Sequence, residues 1–406
     1  MTRAATDSVQ TLSGIRVLEL GNFIAAPTAG RLLAEFGADV VKVERPDGGD
    51  ELRRWRLHAG DTSLLFRSIG RNKRSVTLDL RHAEGRDLAL SLIAQSDVVL
   101  ENFRPGTLER WGLGPEQMRA VRPDLVLVRI SGYGQTGPYR QRAGFGAVAE
   151  AVGGIRHLTG YPDMPPVRTG VAIADSVAGL YAVIGALMGL LRRGRVGGGE
   201  TVDVALYEAV YSLMESLTPD YDAFGIVREA TGTSIPGTVP SNTYRCADGK
   251  FIVIAGNGDA IFARLMHLIG RTDLADDPDL KANAGRVPRV QELDDVIGEW
   301  TATLDAGSAL EALAEAFVPS GPIYDVADIL ADPHFAARGM HEVHPVRIDS
   351  DTPRPVTFPG TVPRFEAGAG TTRWMGPELG EHTDEVLAEL GLDAPTIAAL
   401  RERGVI

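Results

Sequence analysis

Apolar positions along the first part of the chain fall into two alternating patterns. Compact apolar runs, IRVLELG from Ile15 to Gly21 and then ADVVKVER, RSVTLDL, DVVLENF and LVLVRISGYG, are separated by stretches whose apolar residues recur three and four apart, among them TAGRLLAEFG and EGRDLALSLIAQS. The runs read as buried strands and the spaced stretches as helices. Their alternation predicts an α/β domain, a doubly wound parallel sheet joined by right-handed crossovers. Ligands of such sheets sit at the carboxyl ends of the strands, which here are the loops after Leu20, Val43, Leu100 and Ile130.

The pattern changes at RTGVAIADSVAGLYAVIGALMGLLRR, Arg168 to Arg193. A helix that is apolar on nearly every side is expected to be buried. Asp175 stands at or beside its N-terminus, where free N–H groups and the macrodipole favour a charged carboxylate. An acid there is either a helix cap, a role that suits Asp175 or Ser176, or a nucleophile kept ionised. After a further strand and helix in ETVDVALYEAVYSLMES, residues 217–243 are rich in Gly, Pro, Thr and Ser and read as a linker. NTYRCADGKFIVIAG reads as a hairpin turning at Asp248-Gly249, with helices from Ile261, Val290 and Ser308. The expected organisation is a large domain beginning with residues 1–216, a small α+β domain over residues 244–325, and a return linker with the rest of the large domain over residues 326–406.

Composition narrows the function without choosing it. Of the 406 residues, 44% are hydrophobic and 23% charged, as in ordinary globular proteins. A net charge of -13 argues against general nucleic-acid binding, which needs a basic surface. The single cysteine, Cys246, excludes an internal disulfide, fits a reducing, cytoplasmic setting, and reads as a packed strand residue. MTRAATDSVQ lacks the apolar core of a signal peptide. The run Val177–Leu191, about 15 residues, falls short of the ~18 expected of a membrane span. The scattered histidines make no metal-ligating pattern. No GxGxxG follows Gly21, which argues against nicotinamide or flavin binding. The loops instead carry Arg45, Arg53, Arg54, Arg56, Arg71, Lys73, Arg74, Arg104 and Arg110. These are either solvated surface charges or the cations of a site for phosphates.

The stretches LSGIRVLELGNFIAAPTAGRLLAEFGADVVKVERPDGGD, NKRSVTLDL, ENFRPGTLERWGL, the Asp175 segment and GPIYDVADILADPHFAARGM together resemble the family III CoA-transferases, also called the CaiB/BaiF family, over essentially the whole chain. The resemblance implies a Rossmann-like large domain built from both chain ends, a small domain from the middle, and an interlocked homodimer. It implies an acyl-CoA thioester and a carboxylic acid as substrates, with no permanently bound cofactor. Asp175 becomes the nucleophile: its carboxylate attacks the thioester carbonyl to give a mixed anhydride, and the released CoA thiolate then forms an aspartyl-CoA thioester. Arg45, Asn102, Phe103, Arg110 and Phe145 are implied to hold CoA, with Trp111 beside the adenine and Lys73 and Arg74 adding phosphate contacts. The loop AGNGDA, with Gly256 and Gly258, is implied to close over the intermediate, although an ordinary strand-to-helix turn accounts for the same glycines.

Some positions depart from the best known pattern. Ile24, Phe145 and Gly146 stand where formyl-CoA:oxalate transferases carry Gln and Tyr-Glu, which turns the expectation away from oxalate. Racemases of similar outline pair an Asp with a His that would fall at Phe145, and phenylalanine takes no proton; His157 is the nearest alternative in sequence. The stretches RAGFGAVAEAVGGIRHLTGYPDMPPVRTG and SNTYRCADGKFIVIAGNGDAIF are more similar to the succinyl-CoA-dependent dicarboxylate transferases. Ile24, Arg142 and Arg168 are the substrate-facing candidates, the two arginines as partners for a second carboxylate on the acceptor. From a different class, a non-catalytic CoA-binding protein is the competing reading.

Overall fold

A computed structural model describes residues 10–348 and 352–406. The chain divides into two compact units, one of Met1–Arg156, Arg168–Gly225 and Ala337–Ile406, the other of His157–Val167 and Ile226–Ala336. In the first, β1 (Arg16–Glu19), β2 (Asp39–Glu44), β3 (Lys73–Thr77), β4 (Val98–Glu101), β5 (Val126–Ser131) and β6 (Glu200–Ala205) form one sheet. Its order is β3-β2-β1-β4-β5-β6 and every neighbouring pair is parallel. The order reverses between β1 and β4, so the crevice beyond their carboxyl ends is where a ligand is expected.

The sheet is covered by α1 (Ala25–Glu35), α2 (Ala83–Ala94), α3 (Thr107–Arg110), α4 (Pro115–Val121), α5 (Gly146–Val152), α6 (Ile173–Val196) and α7 (Leu206–Tyr211). Leu18, Val41, Val43, Val76, Val99 and Leu127 point to one face, where they pack with Leu92 and Ile93 of α2 and with Val386, Leu387, Ile397 and Leu400 from the helices Thr383–Glu389 and Ala394–Glu402. The last part of the chain therefore completes the core begun by the first. The opposite face, under α1, takes the alternate positions Glu19, Lys42, Glu44, Lys73 and Ser75, all buried. Gly30 lies mid-helix in α1 because a Cβ there would come within 1.9 Å of Glu19 Oε2.

The helix α6 departs from expectation in two ways. It spans 24 residues, longer than the run Val177–Leu191, and by length and composition it is apolar enough to cross a bilayer. It is also not buried all round. A stripe of small residues, Ala174, Ala178, Ala182, Ala186 and Gly189, is buried, and it lets the helix approach closely: a Cβ on Gly189 would meet Val126 of β5 at 2.7 Å. Leu180, Ile184, Met188 and Leu191 on its other sides are exposed in the single chain.

The second unit holds a three-stranded antiparallel sheet of Ser241–Arg245, Phe251–Ala255 and Ser320–Pro322. The helices Asp259–Leu268, Val290–Thr301 and Ala306–Glu315 pack on it around Ile252, Ile254, Phe262, Leu293 and Leu313, with Cys246 buried among them. The hairpin turns at Asp248-Gly249 as expected, with Gly249 at a φ of +83°. The expected linker is partly structured. Leu217–Phe224 is a helix closed by Gly225 in the left-handed region, and the first strand of the small sheet starts at Ser241.

Candidate active site

Asp175 is the third residue of α6, and neither it nor Ser176 caps the helix. The cap position is Ala172, which has no capping side chain, and the Ser176 hydroxyl donates to the Ala172 carbonyl at 2.9 Å. The Asp175 carboxylate instead rests against the start of α5: a Cβ on Gly146 would come within 2.0 Å of its Oδ2. Burial first, and then the negative charge of Glu150, push its carboxyl up from 3.8 to about 6, and among the described residues no neighbouring cation opposes them. The shift runs against the pull of the helix N-terminus, because desolvation outweighs it.

An aromatic wall stands beside it. Phe145, the residue before Gly146, is 61% exposed and meets Phe23 edge-on at 5.7 Å, and Phe23 lies 5.3 Å from Trp55. Phe23 sits in the loop after β1 with φ at 62°, an unfavourable region for a bulky residue. Side chains from elsewhere hold that loop at every residue. Lys42 donates to the Gly21 carbonyl at 2.7 Å. The Asn102 side chain accepts from the Asn22 N–H at 2.8 Å and donates to its carbonyl at 2.7 Å. Asp50 accepts from the Phe23 N–H at 3.0 Å and is itself paired with Lys42 at 2.9 Å.

Beyond the carboxyl ends of β1 to β4 lies a cavity of about 280 Å³ lined by Asn22, Arg45, Leu80, Arg81, Phe103 and Trp111 among others. The Phe103 and Trp111 rings meet edge-on at 5.3 Å. Glu101 fixes Phe103 by accepting its N–H at 2.8 Å and is held by Arg129 at 2.7 Å, which also pairs with Glu109 of α3. Burial pushes the Glu101 carboxyl up to about 7. Arg45 lies at the rim, paired with Glu51 at 2.8 Å. An aromatic slot with arginines at its edge suits a flat heterocycle carrying phosphates.

The family model described as CoA-transferase family III matches residues 12–383. The chain is a family III CoA-transferase. It is 46% identical over 401 residues to succinyl-CoA–D-citramalate CoA-transferase of Chloroflexus aurantiacus, covering 97% of this chain and 98% of that one. It is 35% identical to succinate–glutarate CoA-transferase of Agrobacterium fabrum, over 93% of this chain and 95% of the relative. Among solved structures it resembles a CaiB/BaiF family protein from Brucella suis, with a TM-score of 0.82 and 37% identity over 94% of this chain and 99% of that one.

In this family III chain the structure brings together some of the expected site residues and separates others. Arg45, Phe103 and Trp111 line the cavity, and Asn102 acts through the Asn22 backbone. Arg110 is exposed on α3, where it donates to the Thr107 hydroxyl at 3.1 Å. Lys73 and Arg74 do not join them. They open β3, at the end of the sheet opposite the cavity. Lys73 is buried against Glu19 at 2.7 Å and the Pro27 carbonyl, its ammonium pushed down to about 8 by burial. Arg74 is paired with Asp39 and Glu389. Arg53 and Arg71 are likewise internal, bound to Glu44 and Glu35. The cation that does follow β3 at the cavity is Arg81, which sequence reading passed over although it sits just past the end of a strand.

Ile24 is buried with Leu52, Phe66 and Ile69, and Ala172 packs against that group. Arg142 lies over the Tyr139 ring at 3.5 Å, and Arg168 is exposed and donates to the Thr169 carbonyl. His157 belongs to the second unit and pairs with Glu229 at 3.1 Å. In that unit Gly256 and Gly258 form the turn between a strand and the helix Asp259–Leu268, neither in the left-handed region. Gly256 is demanded by packing, since a Cβ would meet Leu265 at 2.6 Å. The turn is tied down by Arg286, a fully buried side chain that donates to the Asn257 carbonyl and to Asp259. Nothing in the sequence marked Arg286.

Proposed function

We propose that the chain moves CoA from succinyl-CoA to a small dicarboxylate through an aspartyl-CoA thioester on Asp175. The observation that carries the mechanism is a carboxylate set against Gly146 in a partly buried position with no cation paired to it among the described residues. A buried acid spent on structure is normally paired, whereas an unpaired one keeps its lone pairs for a carbonyl carbon. The donor attaches to Asp175 by attack of its carboxylate on the thioester, and CoA thiolate leaves. Attack of that thiolate on the Asp175 carbonyl then releases succinate and leaves the thioester, which the acceptor acid consumes by the same steps in reverse. Phe23, Trp55 and Phe145 exclude water from one side, which protects anhydride and thioester from hydrolysis.

The names of the relatives, which carry succinyl-CoA with citramalate and succinate with glutarate, support a dicarboxylate acceptor. Arg142 and Arg168 are the cations proposed to meet its second carboxylate. Phe145 at the position where racemases carry a histidine argues against proton exchange at an α-carbon. The reading includes a homodimer, supported by the exposed apolar side of α6, and a cytoplasmic location, supported by the single cysteine. The experiment is intact mass spectrometry after incubation with succinyl-CoA, wild type beside Asp175→Ala. A CoA adduct on the wild type alone is expected, and an adduct that persists in Asp175→Ala would remove Asp175 from the mechanism. A panel of acceptor acids then reads the substrate, and transfer to monocarboxylates at rates equal to dicarboxylates would sink the acceptor assignment.

A further inference from the structure

Beside Asp175 lies a second carboxylate that the transfer steps leave unused. Glu150 follows Gly146 by four residues on α5, so the two share one side of that helix, and Gly146 is the residue against which the Asp175 carboxylate rests. Glu150 is 1% exposed. Its Oε2 accepts from Arg156 Nη2 at 3.3 Å, while Oε1 is buried without a hydrogen-bond partner among the described residues.

The other charged groups on elements that pack against α6 are engaged elsewhere. Arg31 and Glu35 of α1 lie together at 3.8 Å. Arg129 of β5 is bound to Glu101 and Glu109. On β6, Glu200 faces Arg192 and Asp203 accepts the Gln135 N–H. Glu208 of α7 accepts from the Tyr207 hydroxyl. Glu150 is the group whose charge bears on Asp175 among the described residues.

We propose that Glu150 is a positioning residue for acyl transfer, a fixed negative charge held by Arg156 that disfavours the Asp175 carboxylate and so favours its acylated forms. This rests on Asp175 being the nucleophile. In the first step an Asp175 oxygen bonds to the thioester carbon, the C–S bond breaks and the electron pair leaves with CoA as thiolate. In the second the thiolate sulfur bonds to the Asp175 carbonyl carbon and the anhydride C–O bond breaks, releasing the donor acid as carboxylate. Asp175 is anionic before these steps and neutral after each of them, so each product is relieved of its repulsion with Glu150. A carboxylate made more basic by a like charge is also the stronger nucleophile wherever it is ionised. Glu150 itself forms no bond to the substrate.

The test uses Glu150→Gln, which keeps the shape and removes the charge, and Glu150→Met as a second neutral variant that asks for no hydrogen bond. Intact mass reads the ratio of aspartyl-CoA adduct to free enzyme at a fixed ratio of succinyl-CoA to succinate, and the rate of adduct formation is followed against pH. In both variants the acid limb of the rate profile is expected to move about one unit lower and the adduct ratio to fall about tenfold, the equivalent of one pKa unit. Glu150→Asp, which keeps the charge, restores the adduct ratio. A limb that stays or rises in a folded neutral variant, with the wild type still forming its adduct, overturns the role of Glu150 and leaves that of Asp175 intact. Absence of any adduct on the wild type overturns both.

Discussion

Gly146 has no side chain because the Asp175 carboxylate occupies the space that one would take. Gly146→Ala is therefore expected to push the proposed nucleophile aside while leaving the cavity proposed for CoA untouched. Adduct formation should slow by about 100-fold, the size of effect that a misplacement of about 1 Å has on a reacting group, with CoA affinity within about twofold by calorimetry; a normal rate would contradict the contact. The raised titration of Asp175 has a second consequence, for stability. Its carboxyl titrates near 6 in the folded chain against 3.8 in the unfolded one, so between those values the unfolded chain has lost a proton that the folded chain keeps. Stability thus falls as pH rises through that window, and the deficit is complete above it. Asp175→Asn should remove a penalty of about 3 kcal/mol at pH 7.5 and change little at pH 4, where the folded acid is already neutral. Thermal melts at the two pH values measure this, and equal gains at both would contradict the assignment.

At the level of elements, the loop Gly21–Asn22–Phe23 is shaped by Lys42 of β2, by Asn102 just past β4 and by Asp50 rather than by its own sequence. Asn102→Ala removes both bonds to the Asn22 backbone, so it should cost about 1–2 kcal/mol of stability and weaken CoA binding roughly tenfold, since one kcal/mol or so of loop ordering is then left to the ligand. Unchanged affinity by calorimetry would mean that the loop keeps its form without the clamp. The same elements explain what the sequence left illegible. The turn NKRS reads as a loop with two cations, but β3 begins at Lys73 itself, so the side chains alternate into the two faces of the sheet: Lys73 goes under α1 and Arg74 toward the helix Thr383–Glu389. Their acidic partners, Glu19, Asp39 and Glu389, are distant in sequence, and nothing local announces them. Arg45 was legible as a cation because it follows a strand whose apolar run is plain, whereas Phe103 and Trp111 were expected only through the family resemblance, since no local pattern brings a residue ten positions past β4 back to its end.

On the scale of the whole molecule, the alternation of strands and helices foretold a parallel sheet, and the apolar stretch placed Asp175 at the start of a helix while leaving its role open between cap and nucleophile. What local pattern did not convey is how much of α6 the single chain covers. An apolar helix was expected to vanish into a core, yet only its stripe of small residues does so, and Met188 on another side is 65% exposed. With Tyr181, Ile184 and Gly185 it lines an apolar cavity of about 440 Å³ beside β6 and α7. A surface of that kind is costly to leave in water, and a second copy of the chain is the proposed cover. Met188→Glu should then shift the protein from dimer toward monomer in light scattering coupled to size exclusion, without altering the circular dichroism. A dimer that persists at micromolar concentration would show that this surface is not the interface.

The clamped loop after β1 also bears on how such an enzyme changes its taste in substrates. Because Lys42, Asn102 and Asp50 hold the loop by its main-chain atoms, the side chain of Phe23 and its neighbours Trp55 and Phe145 are free to vary while the frame beneath them stays put. A library randomised at those three positions ought to yield folded proteins with altered acyl preference at high frequency. Randomising the three grips instead ought to yield mostly inactive ones. Evolvability in this fold is thus divided spatially, with replaceable walls set on a frame that tolerates little change.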